Sequence, residues 1–222
     1  MNFIYIFIFF ICLTIIFKYM ENKAFDVIYV TANNKKDYLV RNLPDKESAA
    51  NLLSNMNDKL DELIEYIKKK DIFEMYKMYV VRNNDIQLEK LSKTQKKEYQ
   101  TFQEDVKRII KNYNTDALSE NTPDSSYTSY SENKGQKIVF CLRSKKTNKL
   151  VDLNTMLFVA LHEMAHLMTK SIGHLPEFWE NFRILLRIAI RNSIYQCQDY
   201  HIESEDYCGT KITDTPLKCG DV

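Results

Sequence analysis

The sequence predicts an α+β domain in which helices pack on a short mixed sheet, with one transmembrane helix at the N-terminus. Three observations lead to this prediction. Short segments near positions 27 and 138 are rich in β-branched and aromatic residues, two long segments carry apolar residues at three- and four-residue steps, and the chain starts with an uninterrupted apolar run. With 222 residues, 45% of them hydrophobic, the chain is long enough for one domain with its own core. Its net charge of +1 gives no electrostatic reason to expect a general nucleic-acid binder.

The N-terminal segment "MNFIYIFIFFICLTIIFKYM" has no charged side chain before Lys18. About 17 such residues rise roughly 26 Å as a helix, close to the thickness of a thin bilayer core. A cleavable signal sequence would carry basic residues before the apolar run and small residues after it, and neither is present. We therefore predict a single-pass membrane anchor over residues 1–20, in preference to a signal sequence or a buried helix. Because Lys18 and Lys23 follow the apolar run, the remaining domain, residues 25–222, is expected in the cytosol.

A hairpin and two helices are predicted next. The segments "DVIYV" and "DYLVRNL" flank "TANNKK", which is typical of a β-hairpin whose turn uses the tolerance of Asn33 and Asn34 for positive φ. From Asp45 to Ile67, and again from Tyr99 to Tyr113, apolar residues recur at helical spacing. The stretch 72–81 is apolar and fits either a helix or a strand.

A strand is predicted to lead into a helix that carries two of the histidines. Residues 114–136 are polar and are typical of a long surface loop, and the following "KIVFCLR" predicts a strand over Ile138–Arg143. Asn154 is a suitable N-cap for a helix through "TMLFVALHEMAHLMTKSI" that ends near Gly173. This helix is apolar on nearly every side, so we expect it to be buried.

Within that helix, "LHEMAHL" contains the HExxH pattern. His162 and His166 lie roughly 40° apart on the helical wheel and one turn apart along the axis, so both can bind one metal ion. Glu163 lies beside them, and an unpaired carboxylate in apolar surroundings is costly, so a metal and its water are its expected partners. Zinc would lower the pKa of this water towards roughly 7, and Glu163 would accept the proton as hydroxide attacks a peptide carbonyl.

A catalytic zinc ion usually takes three protein ligands and keeps one open position. His174 directly follows Gly173 and is the favoured third ligand, although seven residues separate it from His166, unlike the metzincin spacing. The alternative is an acidic ligand on the next helix, with Glu177 and Glu180 as candidates. His201 lies in a polar segment and is expected at the surface.

The segment "LPEFWENFRILLRIAI" predicts another helix, with Pro176 at its first position. Its aromatic residues, Phe178, Trp179 and Phe182, fit a pocket lining or a core, and a stripe at this spacing favours the core.

The cysteines show no CxxC spacing, so a thiolate zinc ribbon is not indicated. Cys12 lies in the predicted anchor. We interpret the other four as free thiols, with disulfide pairing in a lumenal domain as the alternative; they are Cys141, Cys197, Cys208 and Cys219.

With these residues in view, the chain resembles the minimal zinc metallopeptidases of the WLM and SprT-like type. In those proteins HExxH is followed by a histidine and then an aromatic helix, as in "HEMAHLMTKSIGHLPEFWENF". The chain looks closest to the uncharacterised WLM-like metallopeptidases of large DNA viruses, and the likeness spans Val27–Pro216. The resemblance implies a zincin-like fold and a peptidase with Glu163 as the general base and His162, His166 and His174 as zinc ligands.

The resemblance also implies that the strand Ile138–Arg143 forms the cleft edge along which an extended peptide substrate pairs its backbone. A tyrosine often assists the oxyanion in such enzymes, and the candidates here are Tyr127, Tyr130, Tyr200 and Tyr207. A nuclear DNA-repair role is not favoured, because the chain has an apolar N-terminus and no strongly basic tail. The alternative to a membrane-anchored peptidase is a catalytically weak, zinc-containing peptide-binding or structural membrane protein.

Overall fold

The computed structural model describes residues 2–24, 26–122 and 124–221 and shows an α+β fold built on a mixed sheet. The five-stranded sheet has the order β1-β2-β3-β5-β4. Strand pairs β1/β2 and β4/β5 are antiparallel, whereas β2/β3 and β3/β5 are parallel. The strands are β1 (Val27–Thr31), β2 (Asp37–Arg41), β3 (Leu118–Glu120), β4 (Ser129–Glu132) and β5 (Lys137–Phe140).

The predicted transmembrane helix, and with it the predicted single-pass membrane location, is wrong. The N-terminal segment forms helix α1 (Asn2–Ala24), but among the described residues no helix is long and apolar enough to cross a membrane. Part of the predicted anchor lies outside the described side chains. These undescribed side chains belong to residues 2–4, 17 and 19–24.

The N-terminal hairpin is confirmed, with Val27 opposite Arg41 in the register of β1 and β2. The predicted turn geometry is wrong, because positive φ occurs at Lys35 and not at the asparagines. Asn34 instead uses its side-chain oxygen to accept a hydrogen bond from the backbone N–H of Lys36, the local bond that asparagine commonly makes in turns.

The two amphipathic helices are confirmed as α2 (Lys46–Lys69) and α4 (Lys93–Asn112). Both turn their apolar face to the core, which explains the three- and four-residue steps. The ambiguous stretch between them is helical: α3 (Ile72–Met75) continues into π-helical turns over Tyr76–Val81.

The predicted long loop 114–136 is wrong, since it contains β3 and β4. Strand β3 has only three residues, two of which are polar, and β4 reads "SYSE" at the edge of the sheet. Neither strand has the apolar alternation by which a strand is recognised in a sequence.

The two helices that carry the motif residues are α5 (Leu153–Met168) and α6 (Pro176–Arg191). The N-cap of α5 is Asp152, whose side chain accepts a hydrogen bond from the N–H of Thr155, and not Asn154 as predicted. Most of α5 is buried between α4 and α6, in agreement with its apolar composition. Pro176 occupies the first turn of α6 as expected.

The interpretation of the cysteines as free thiols is wrong for the four that follow the N-terminal helix. Cys141 is bonded to Cys208, and Cys197 is bonded to Cys219. Sequence spacing alone does not determine pairing, which depends on the distances that the fold sets. The Cys141–Cys208 bond links the C-terminal segment to the residue after β5, and the Cys197–Cys219 bond closes a loop within that segment. The segment contains two three-residue strands, β6 (Glu205–Tyr207) and β7 (Thr210–Ile212). They also oppose the predicted cytosolic location, because disulfides persist mainly in oxidising compartments.

Candidate metal centre

Three histidines converge at one point on the surface of α5. His162 and His166 lie one turn apart on this helix, and His174 follows in the segment that joins α5 to α6. One ring nitrogen from each lies within 4.8 Å of the other two. The Nε2 atoms of His162 and His174 are 3.0 Å apart. The structure therefore brings together the three residues that the sequence singled out.

The donor set fits zinc. Two nitrogen ligands of a tetrahedral zinc ion, each bonded at about 2.1 Å, stand about 3.4 Å apart, which lies within the separations found here. Burial lowers the pKa of His162 to about 3 and that of His166 to about 4. Both imidazoles are therefore neutral at pH 7, which is the protonation state that binds a metal. Three nitrogen donors beside an open cavity match a catalytic zinc site with one free position.

The position of His174 depends on an early end of α5. The helix ends at Met168, five residues before the predicted end, and Thr169 has an extended backbone. The Thr169 hydroxyl donates to the carbonyl of Ala165, a side-chain bond that competes with continued helix. Gly173 then adopts φ +85°, a left-handed conformation that favours glycine, and turns the chain to His174.

Three side chains from two other parts of the chain, helix α4 and the segment after β4, hold the end of α5. Lys134 Nζ donates to the carbonyl oxygens of Thr169 and Lys170, both at 3.0 Å. Asn112 Nδ2 donates to the carbonyl of Leu167 at 3.1 Å, and Arg108 donates to the carbonyl of Met168 at 2.6 Å. These bonds satisfy carbonyl groups that a helix end leaves without partners, so the segment that leads to His174 is firmly placed.

Buried polar side chains continue this support towards α6. Asn181, which is 3% exposed, donates to the Thr169 hydroxyl at 3.0 Å and to Asp105 at 3.2 Å. Asp105 also pairs with Arg108. A buried amide with both partners in place fixes the distance between the two helices that flank His174.

Phe178 lies directly beneath the three histidines and was not predicted as a site residue. Its ring stacks on His166 at 4.3 Å between centroids and makes edge contacts with His162 at 4.9 Å and His174 at 4.7 Å. The side chain is fully buried. It therefore restricts the orientation of all three imidazoles. The sequence signal was its position four residues after His174, near the start of the predicted helix.

Glu163 is the buried acid of the site. The residue is 6% exposed, and burial raises the pKa of its carboxyl group to about 7. None of the hydrogen bonds and ion pairs of the described residues involves this carboxylate, and burial is the one cause of its raised pKa. A buried carboxylate without a partner reduces stability and is typical of functional sites.

The alternative ligands are engaged elsewhere. Glu177 accepts a hydrogen bond from the backbone N–H of Ser171 at 2.8 Å, and Glu180 pairs with Arg183. His201 is exposed, as expected, and pairs with Asp214 at 2.9 Å. None of these three residues belongs to the histidine cluster.

A cavity of about 770 Å³ opens onto the histidines and Glu163. The aromatic residues of α6 were predicted to be core, and this is only partly correct, because Trp179 and Phe182 also line the cavity. The predicted cleft edge needs correction as well. Strand β5 lies inside the sheet between β3 and β4, so the edge strand beside the cavity is β4.

Two of the four candidate tyrosines line the cavity, namely Tyr130 and Tyr207. Tyr127 is 65% exposed, and Tyr200 is buried against Phe158. Tyr207 is the more enclosed of the two, and its hydroxyl lies 2.6 Å from the Ser129 hydroxyl. Burial, and to a smaller extent the nearby Glu163 carboxylate, raise the pKa of Tyr207, so its hydroxyl keeps its proton at neutral pH.

Comparison with known proteins finds similar chains in viruses. Over 206 residues the chain is 32% identical to uncharacterised protein R325 of Acanthamoeba polyphaga mimivirus. This match covers 92% of this chain and 91% of that protein. A shorter match, 36% identical over 81 residues, is to uncharacterised protein 042R of Invertebrate iridescent virus 3 and covers 36% of this chain and 48% of that protein. A third, 36% identical over 69 residues, is to uncharacterised protein 136R of Invertebrate iridescent virus 6, covering 30% of this chain and 38% of that protein. No model of a known protein family and no solved structure matches the chain.

Proposed function

We propose that this chain, which belongs to the same family as the uncharacterised mimivirus protein, is a zinc-dependent peptidase that hydrolyses peptide bonds. The observation that carries the proposal is the convergence of three histidine nitrogens within 4.8 Å beside Glu163, a buried carboxyl group that pairs with no other described residue. Zinc ligands alone would serve a structural site as well. The acid is what favours hydrolysis, because a scaffold gains nothing from an ionised buried carboxylate. The arrangement also supports the likeness to the WLM and SprT-like peptidases.

Each side chain at the site has a distinct part in the proposed reaction. His162, His166 and His174 would hold the metal. Zinc, when bound, would supply Lewis-acid chemistry that polarises the substrate carbonyl and eases the deprotonation of water. Glu163 takes the proton from the attacking water and passes it to the leaving amine, and a pKa of about 7 suits both transfers. Tyr207 keeps its proton and donates a hydrogen bond to the oxyanion that develops at the carbonyl.

The substrate is proposed to be an extended peptide that pairs with β4. This strand is the edge of the five-stranded sheet and lines the cavity with Ser129, Tyr130 and Ser131. The carbonyl of Thr128, directly before β4, accepts a hydrogen bond from the backbone N–H of Cys141, directly after β5. Along an antiparallel pair of strands, residues that hydrogen-bond to the partner strand alternate with residues that do not. Ser129 and Ser131 therefore direct their backbone N–H and C=O groups away from β5. These groups are available to an added strand.

The test is hydrolysis of a peptide library by the zinc-loaded full-length chain, with cleavage products detected by mass spectrometry. Glu163→Gln should lower the rate by about 10²- to 10⁴-fold, since it removes a general base, and it should leave the zinc content unchanged. Glu203→Gln, which replaces an exposed acid, serves as the matched control. Equal cleavage by wild type and Glu163→Gln would contradict the mechanism. A wild-type chain that binds zinc and cleaves nothing would instead favour a peptide-binding or structural protein that contains zinc.

A further inference from the structure

We infer that the peptide hydrolysed at this site carries a large apolar side chain directly after the scissile bond. This inference rests on the proposed peptidase function and adds a substrate class to it. Three features of the cavity lead to it: an apolar pocket at one end, a polar opposite end, and the direction of the edge strand between them.

The apolar pocket lies at the end of the cavity nearest the N-terminus of α5. Phe158 and Phe182 form its floor with ring centroids 5.2 Å apart, and Trp179 adjoins Phe182 at 6.4 Å. Val159 lies next to Phe158 on the same helix. Ile212 of β7 lines the same cavity, and its segment reaches this end through Tyr200, whose ring lies 4.6 Å from that of Phe158. Within the segment, His201 pairs with Asp214 at 2.9 Å, which links the part near Tyr200 to the part that follows β7.

The pocket lies one residue's reach from the metal ligands. Val159 precedes His162 and Glu163 by three and four positions, which is one helical turn of about 5.4 Å. The Phe182 ring lies 5.3 Å from the His162 ring. A peptide carbonyl at the histidines therefore places the side chain of an adjacent residue in this pocket.

The opposite end of the cavity has a different chemistry. It is lined by Asn133, Lys134 and Ser171, and Lys134 is bonded to the carbonyl groups at the C-terminus of α5. Two charged side chains also line the apolar end, and both are exposed to solvent. They are Lys211 and Asp214, and Asp214 is paired with His201. Ile172 also lines the polar end, but its side chain is 88% exposed and encloses no pocket. The enclosed apolar surface therefore lies on one side of the histidines, and the other side is mainly polar.

The direction of β4 decides which side of the scissile bond enters the apolar pocket. The strand starts at Ser129, beside Tyr207, and ends at Glu132, just before Lys134 and the polar end. Antiparallel pairing is the more stable of the two directions for an added strand, and a peptide that pairs in this way with β4 runs from the polar end to the apolar end. Its residues before the scissile bond lie near Lys134, and the residue after the bond enters the pocket.

The experiment maps the cleavage sites that the zinc-loaded full-length chain produces in a peptide library. Large apolar residues, such as Phe or Leu, should be enriched at least about tenfold directly after the cleaved bond. Matched peptides with Phe or Ala at that position then give a ratio of kcat/KM values. Ile212→Asp should lower this ratio about tenfold, whereas Ile202→Asp, an exposed isoleucine outside the cavity, should leave it unchanged. Val159→Ala enlarges the pocket and should shift the preference from Leu towards Phe and Trp.

The possible outcomes separate this inference from the peptidase proposal. Cleavage without a preference after the bond, a preference only before the bond, or an unchanged ratio in both pocket variants would overturn the inference and leave the peptidase standing. If the wild-type chain cleaves no peptide, the peptidase proposal fails and the substrate inference fails with it.

Discussion

Replacing Glu163 by Gln should stabilise the metal-free protein. Burial raises the pKa of this carboxyl group from an ordinary value of 4.5 to about 7. The folded state therefore binds the proton more tightly than the unfolded chain does, and the ionised carboxylate destabilises the fold at higher pH. A difference of about 2.5 pH units corresponds to about 3 kcal/mol. Since glutamine resembles the neutral acid in size and polarity, Glu163→Gln should regain most of this free energy above pH 7.

The assay is chemical denaturation of the chelator-treated full-length chain at several pH values. The free energy of unfolding of Glu163→Gln should exceed that of the wild type by about 3 kcal/mol at pH 8. The difference should shrink as the pH falls through 7 and vanish only below the ordinary pKa of 4.5, where the wild-type carboxyl group is protonated in both states. With zinc bound the difference should also shrink, because a nearby cation favours the carboxylate. Glu203→Gln, at an exposed position, should change nothing.

The result that would refute this reasoning is a Glu163→Gln protein less stable than the wild type by about 1 kcal/mol or more at pH 8, since that would match the loss of a hydrogen-bonded structural carboxylate.

Three further predictions concern the surroundings of the site. Phe178→Ala should lower the free energy of unfolding by about 3–5 kcal/mol, as for other fully buried aromatic residues. Phe178→Leu should keep the folded structure, and a zinc titration should show that it binds zinc about 10- to 100-fold more weakly than the wild type. Reduction of the Cys141–Cys208 bond, or Cys141→Ser, should remove about 4 kcal/mol of stability and loosen the wall that carries Tyr207; equal stability and equal peptide cleavage before and after reduction would contradict this. In the metal-free protein, the wild type should lose stability relative to His162→Gln by about 1.4 kcal/mol for each pH unit below about 6.5, because the folded His162 has a pKa of about 3 and the unfolded chain takes up the proton first. Parallel pH dependence of the two proteins in denaturant titrations would refute that prediction.

The elements that the sequence predicted well are those with a strong local period. Helices α2, α4 and α6 each bury one apolar face, so their three- and four-residue steps are visible in the sequence. The N-terminal hairpin was found for a similar reason, through two short segments around a polar turn. Helix geometry alone brought His162 and His166 together, whereas His174 was only the favoured third ligand, because its position depends on the early end of α5 and on the tertiary bonds that hold this end.

What the sequence did not predict depends on contacts between distant residues. Strands β3 and β4 are short and polar, and the sheet that recruits them sets their conformation. The disulfides join cysteines 67 and 22 positions apart, a pairing that spacing does not encode. The cleft edge was assigned to the apolar strand β5, although apolar strands tend to be central and the exposed edge is the polar β4. The N-terminal apolar run was interpreted from its composition and from a helical length of roughly 26 Å, but no helix of the described residues is long and apolar enough to cross a membrane.

The most direct test of the metal centre is a calorimetric titration of zinc into the metal-free full-length chain. One zinc ion should bind per chain, and His162→Ala, His166→Ala and His174→Ala should each weaken binding by at least about 100-fold, because each removes one ligand. His201→Ala should bind like the wild type, since this exposed residue is paired with Asp214. A wild-type chain that takes up no zinc, or a His174→Ala chain with undiminished affinity, would contradict the three-histidine site on which the proposed function is built.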